Sequence, residues 1–231
     1  MKHIVSFSGG KDSTAMLLRM IELNMPIDQI VFADTLLEFP EMYEWIAKIE
    51  KMIGRKITVL KPKSTWDDWF YGKITRGPNK GKMRGFPKGM SPCWWSRECK
   101  QEPLSKMKTP DIVSYIGIAK DEKHRAESKM YLKTPHRFPL IEWGWTEADC
   151  VAYLRSKGLE HPLYKHFKRT GCWLCPKQKN EALVSLYNHY PELYEKLKQY
   201  EADSPHEFKY AGFSLEKFEK KYGLSRNQRK L

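Results

Sequence analysis

Between residues 3 and 62 the chain alternates short β-branched runs with amphipathic helical stretches, and that alternation leaves few folds open. "HIVSFS" reads as a buried parallel strand running into Gly9-Gly10. From Ser13 onward, Ala15, Leu17, Leu18, Ile21 and Leu23 recur at helical spacing, with Asp12 or Ser13 as the expected N-cap. "DQIVFADT" reads as a second strand, "PEMYEWIAKIEKMI" as a second helix and "KITVLKP" as a third strand. Strand, helix, strand, helix, strand predicts an α/β fold, a three-layer sandwich with a mainly parallel sheet between helices.

Beyond the third strand the pattern breaks. Residues 64–97 are rich in aromatics, Gly and Pro and read as a loop-rich insertion, and loops of this length inside a domain usually carry function. "DIVSYIGIA" is expected to be a further strand, and "TEADCVAYLRSKG" a helix capped by Thr146 and closed by Gly158. From about Pro176 the chain looks helical and highly charged, ending in the basic "LSRNQRKL". The expected organisation is a nucleotide-binding domain over 1–175 and a small helical region over 176–231. A chain of 231 residues buries a sizeable core without disulfide staples. No apolar run is long enough to span a bilayer and the first residues lack the build of a signal peptide, so no membrane partner and a cytoplasmic location are expected. There cysteines stay reduced.

The turn "SFSGGKDST" after the first strand carries the chemistry. A glycine-rich turn that opens a helix presents backbone N–H groups and the positive end of the helix dipole to an anion. Gly9 and Gly10 tolerate positive φ and close approach of a phosphate, Lys11 supplies a cation, and Ser8, Ser13 and Thr14 supply hydroxyls. The dinucleotide fingerprint fails for want of a third glycine, and the Walker A spacing is absent. What remains is Ser-x-Ser-Gly-Gly-Lys-Asp-Ser, that is Ser6, then after Phe7 the run Ser8, Gly9, Gly10, Lys11, Asp12 and Ser13.

This segment resembles the pyrophosphate (PP) loop of the ATP-pyrophosphatase superfamily, whose Rossmann-like enzymes cleave ATP between the α- and β-phosphates. Three further stretches resemble one branch of it, the phosphoadenosine-phosphosulfate (PAPS) reductase-like proteins. In "ADTLLEFPEMYEW" Asp34, Thr35, Phe39, Pro40 and Glu41 match, with Met42 where a threonine is usual. In "YIGIAKDEKHRAE" Gly117, Asp121, Glu122 and Arg125 match, and in "SRECKQEPL" Arg97, Lys100, Pro103 and Leu104. The Pro-Leu-Tyr and Gly-Cys-x-x-Cys of residues 162–175 complete the pattern. The resemblance implies nucleotide contacts from Ser6, Ser8, Gly9, Gly10, Lys11, Asp12, Ser13, Thr14 and Gly117, with Asp34 and Thr35 near adenine or ribose. Lys11 and Arg125 would offset charge on the phosphates of Mg2+-bound ATP, and Asp12 would orient the loop or a metal-bound water.

Of the five cysteines, Cys172 and Cys175 form C-x-x-C and Cys93 and Cys99 stand six apart, while Cys150 falls on a probable helix face and reads as core. Four thiolates suffice for a [4Fe–4S] cluster or a tetrahedral Zn2+ site. Iron–sulfur members of the branch place two adjacent cysteines where this chain has Trp95 and Ser96. Reductases of the branch also carry a nucleophilic cysteine in a C-terminal Glu-Cys-Gly; here every cysteine precedes Pro176. The resemblance therefore implies ATP-dependent adenylation of a substrate, with sulfur transfer to follow from a sulfur-donor protein or a cluster. Reduction of PAPS or adenosine phosphosulfate is the alternative, and a nucleotide-binding module without catalysis a third.

The net charge of +13 favours polyanionic partners. Residues 72–90 hold six Lys/Arg and no acid, and offer phosphate contacts to tRNA or DNA. Trp66, Trp69, Phe70, Tyr71, Trp94 and Trp95 are candidates for stacking on unpaired bases, against the competing reading that they are core.

Overall fold

Ile4 and Val5 are neighbours that point to opposite faces of one strand, and both are buried, which marks that strand as the middle of a sheet covered on both sides. The computed structural model describes residues 1–88, 92–107, 109–131 and 134–224. Its five strands are β1 (Lys2–Ser6), β2 (Gln29–Ala33), β3 (Ile57–Leu60), β4 (Ile112–Ile116) and β5 (His136–Arg137). They pair in parallel in the order β3-β2-β1-β4-β5, with Val5 beside Ile30 on one flank and Tyr115 on the other. The chain thus winds outward from β1 through β2 to β3, then restarts at β4 on the opposite side of β1. The carboxyl ends of β1 and β4, where the winding reverses, are where parallel sheets of this kind place their ligand sites.

Helix α1 (Lys11–Glu22) begins two residues earlier than its periodicity suggests: Gly10 is the N-cap, and Asp12 and Ser13, the expected caps, lie inside the first turn. Helix α2 (Pro40–Ile53) runs between the expected limits, opened by Pro40 at its first position and closed by Gly54 in the left-handed region. The insertion is less irregular than its composition suggests. It holds α3 (Trp66–Phe70), an antiparallel bridge between Lys73 and Met83, then α4 (Trp94–Ser96), a π-helical turn (Arg97–Gln101) and α5 (Glu102–Ser105) in one continuous run. After β5 come α6 (Pro139–Glu142) and α7 (Glu147–Ser156). Thr146 caps α7 in a reciprocal box with Asp149, as expected. Helices α1 and α7 lie side by side and parallel, tied by Lys11–Glu147 at their starts and Lys157–Glu22 at their ends.

The last described helices, α8 (Asn180–His189), α9 (Pro191–Asp203) and α10 (Leu215–Tyr222), fold back on the insertion. Tyr200 Oη donates to Asp67 and Tyr71 Oη to Asp203, while Phe86 meets Phe208 at 4.9 Å between ring centres. These contacts join the insertion and the last helices to the sheet in one apolar cluster. Trp66, Phe70 and Trp95 are buried in it, so these three are core and not base-stacking groups. Trp69 and Trp94 stack on each other with Arg84 over Trp69. The basic stretch 72–88 is exposed through most of its length and held by backbone bonds such as Ile74 N–H to Lys82 O. Gly89, Met90 and the terminal 225–231 lie outside the described residues. Among the described residues no helix is long and apolar enough to cross a membrane.

Candidate nucleotide and cysteine sites

The turn after β1 is shaped by steric demands at two glycines. Gly9 has φ +75, and a Cβ there would stand 2.4 Å from Met42 Sδ. Gly117, after β4, has no room either: its Cβ would lie 2.9 Å from Ser13 Cα, which is backbone and cannot swing aside. β4 therefore presses its loop directly against the start of α1. Inside the turn the hydroxyls close on the loop itself. Ser13 Oγ accepts Ser8 N–H at 3.2 Å and donates to Gly10 O at 3.1 Å, and Thr14 Oγ1 donates to Gly10 O at 2.9 Å. Thr14 N–H to Gly10 O is the first helical bond, so the amides of Lys11, Asp12 and Ser13 precede the ladder. That of Lys11 donates to Tyr164 Oη at 3.0 Å.

A polar cavity of about 140 Å³ opens over this turn, walled by Ser8, Gly10, Lys11, Asp12 and Ser13 on one side. Gly117, Glu122, Arg125, Glu147, Tyr164, Arg169 and Thr170 complete it. Of the sequence-predicted residues it gathers Ser8, Gly10, Lys11, Asp12, Ser13, Gly117 and Arg125; Gly9 and Thr14 support the loop from behind. Ser6 faces a different space, an apolar cavity of about 110 Å³ between the sheet and α5. Asp34 and Thr35 do not reach the polar cavity. Asp34 Oδ1 accepts from Leu36 N–H and Tyr43 Oη, and Thr35 Oγ1 donates to Glu38 and lies 3.3 Å from Cys172 Sγ.

The charges of the cavity are largely self-paired. Lys11 Nζ is 3.0 Å from Glu147 and 3.5 Å from Asp12, and Arg125 pairs with Glu122. Burial works against the Lys11 ammonium, but the carboxylates of Glu147 and Asp12 outweigh it and raise its pKa. Burial also raises the pKa of Asp12 in spite of Lys11, with Glu147 adding to the rise, and Asp12 Oδ1 is buried without a hydrogen-bond partner. Glu147, Tyr164, Arg169 and Thr170 were not singled out as site residues from the sequence. The only signal was Pro-Leu-Tyr in the family pattern, which does not say what the tyrosine touches.

The second centre lies where α4, its π-helical turn and the Cys172–Cys175 turn meet the end of β2. Cys93 caps α4, its Sγ accepting Ser96 N–H at 3.3 Å, and Cys99 is buried on the π-helical turn. Backbone amides of Lys177 and Gln178 are directed at Cys175. The four thiols are electrostatic neighbours in a ring: Cys93 with Cys99, Cys99 with Cys172, Cys172 with Cys175, and Cys175 with Cys93. Burial pushes the thiols of Cys99, Cys172 and Cys175 up, Cys172 to about 12, and also that of Cys150, buried on α7 away from the ring. Lys100 sits among them. Burial disfavours its ammonium, yet Cys172, Glu38, Cys99 and Cys175 together raise its pKa. Among the described residues no three His, Cys, Asp or Glu side chains already stand in a metal-holding arrangement. The donor set nevertheless suits a thiolate-bound group: four sulfurs from two segments, N–H groups on Cys93 and Cys175, and the half-buried Lys100 to offset their charge.

The model of the phosphoadenosine phosphosulfate reductase domain matches residues 2–178. An uncharacterized protein of Methanocaldococcus jannaschii, MJ0066, is 32% identical over 206 residues, covering 84% of this chain and 40% of that protein. The chain therefore spans less than half the length of that relative. An adenosine 5'-phosphosulfate reductase of Bacillus cereus is 26% identical over 174 residues, 69% of this chain and 67% of the enzyme. Among solved structures, a phosphate complex of PAPS reductase from Candida auris superposes with a TM-score of 0.53 at 19% identity. That match covers 75% of this chain and 82% of the other, and it is a likeness of fold.

Proposed function

The chain belongs to the phosphoadenosine phosphosulfate reductase domain family, and we propose that within it this protein cleaves Mg2+-bound ATP at the PP loop and adenylates a nucleic-acid acceptor for sulfur transfer. The observation that carries the reading is the cavity over Gly10–Ser13, where leading helix amides, Lys11, Arg125 and Arg169 converge on one anion-sized space. An oxygen of the acceptor attacks the α-phosphorus and gives up its proton to water. The bond from that phosphorus to the bridging oxygen breaks, and pyrophosphate leaves with Mg2+. Lys11 and Arg125 release their carboxylate partners to meet the charge on the phosphates, and Asp12 orients the loop or a water on Mg2+. A sulfur nucleophile then attacks the acceptor carbon that bears the adenylated oxygen; the C–S bond forms, the C–O bond breaks, and AMP leaves with that oxygen. Cys93, Cys99, Cys172 and Cys175 would hold a [4Fe–4S] cluster, or Zn2+ in the alternative; the cluster supplies a place to bind the sulfur delivered by a donor protein. The exposed basic stretch 72–88 supports contact with tRNA or DNA phosphates.

The Bacillus cereus relative favours a second reading, reduction of adenosine phosphosulfate or PAPS. That reaction needs a thiolate, and burial disfavours the thiolate at Cys99, Cys150, Cys172 and Cys175. Anaerobically purified protein with Mg-ATP, with and without tRNA or DNA, separates the two. Pyrophosphate release stimulated by nucleic acid and lost in Lys11→Ala is the expected result. Tight binding of PAPS without ATP cleavage transfers the assignment to the reductase. Undiminished turnover in Lys11→Ala sinks the site.

A further inference from the structure

The charge inventory of the phosphate cavity is not closed. Lys11 and Arg125 each pair with a carboxylate, but Arg169 on the same wall makes no hydrogen bond or ion pair to any described residue. Arg169 belongs to a strap, residues 161–170, that runs from the end of α7 back over the start of α1. Apolar contacts fix the strap from below. His161 is buried against Trp45 at 4.9 Å and Tyr164 at 5.7 Å, and Phe167 packs on Phe39 at 4.8 Å. Its polar side chains are delivered to the PP loop. Tyr164 Oη accepts Lys11 N–H and lies within hydrogen-bond reach of the Thr170 side chain. Thr170 Oγ1 stands 3.3 Å from the point where a Cβ on Gly10 would be. Two residues later Cys172 lies against Thr35.

We infer that Tyr164–Thr170 is the second wall of the phosphate site. Arg169 and the Tyr164 hydroxyl hold the pyrophosphate portion of the nucleotide across from Lys11 and the leading amides of α1. Glu147 keeps Lys11 occupied until phosphate displaces it. Because only Gly171 separates Thr170 from Cys172, an occupied wall fixes where the C-x-x-C turn sits, so phosphate binding and the cysteine centre are mechanically coupled. The inference rests on the reading of the PP loop as a nucleotide site, and the experiment keeps the two apart.

The probes are Mg-pyrophosphate and Mg-ATP, titrated calorimetrically into the full chain as wild type, Arg169→Ala, Arg169→Lys and Lys11→Ala. Among the described residues Arg169 has no hydrogen-bond or ion-pair partner to lose, and circular dichroism verifies folding of each variant. Arg169→Ala is expected to raise Kd for both probes at least tenfold, with Arg169→Lys recovering part of it. Amide exchange at residues 171–175 is expected to slow at least threefold with pyrophosphate in the wild type and not in Arg169→Ala. Wild-type affinity in Arg169→Ala, with binding lost in Lys11→Ala, overturns the second wall and leaves the PP-loop site standing. No binding by the wild type overturns both. Weakened binding in Arg169→Ala, with exchange at 171–175 indifferent to pyrophosphate in the wild type, overturns the coupling.

Discussion

Lowering the pH should destabilise this protein through one buried histidine. His161 is 2% exposed, and its Nδ1 accepts Leu163 N–H at 3.2 Å, which places the ring proton on Nε2. Burial pulls its pKa down to about 4 from the ordinary 6.5, with Glu41 opposing. A folded-state pKa below the unfolded one means that the unfolded chain takes up the proton first. Stability is therefore full above pH 6.5 and is lost as pH falls toward 4. The loss amounts to about 3 kcal/mol in full and about 2 kcal/mol between pH 7 and 5. Urea unfolding at pH 7, 6 and 5 measures it against His161→Asn, whose amide oxygen keeps the acceptor for Leu163 without a titrating ring. The variant should start lower at pH 7, because it loses packing on Trp45, and the two curves should converge by pH 5. Parallel curves would refute the assignment of the pH dependence to His161. The effect reaches the site because the same ring backs Tyr164.

Two further substitutions probe the centres separately. Gly117→Ala inserts a methyl 2.9 Å from Ser13 Cα, an overpacking expected to cost about 1–3 kcal/mol and to weaken ATP binding by displacing the start of α1. Wild-type urea midpoint and ATP affinity together would show that the close approach of β4 and the PP loop is not needed. Cys172→Ser retains a hydroxyl for Thr35 and should fold, yet lose bound iron or zinc in elemental analysis of anaerobically prepared protein. A full metal complement in that variant would remove Cys172 from the ligand set.

The local chemistry of the chain was enough to predict most of its parallel sheet and the glycine-rich turn after β1. β-Branched runs, helix periodicity and paired glycines are local signals, so β1 to β4, α1, α2 and α7 were legible, as was the PP loop itself. The two-residue β5 carries too little pattern to be seen. The N-cap of α1 was misplaced because Asp12 and Ser13 are good caps by composition, whereas β4 and Met42 crowd the turn and leave the cap to Gly10. The aromatics of 66–95 could not be sorted by sequence, since a tryptophan that stacks on a base and one that packs edge-on against Tyr200 are the same residue type; packing of α9 on the insertion decided for Trp66. Nor could sequence say what Asp34 and Thr35 touch, because their partners Tyr43, Glu38 and Cys172 are set by packing. Sequence by itself determined the three-layer α/β scaffold with its parallel sheet, the glycine-rich turn after β1 and the four candidate thiols, because each is written in spacing along the chain. Only the tertiary structure decided that Glu147 holds Lys11, that Tyr164 caps its amide, and that Thr170 and Arg169 come to line the same cavity. Those contacts join residues more than a hundred positions apart, and no local pattern encodes them.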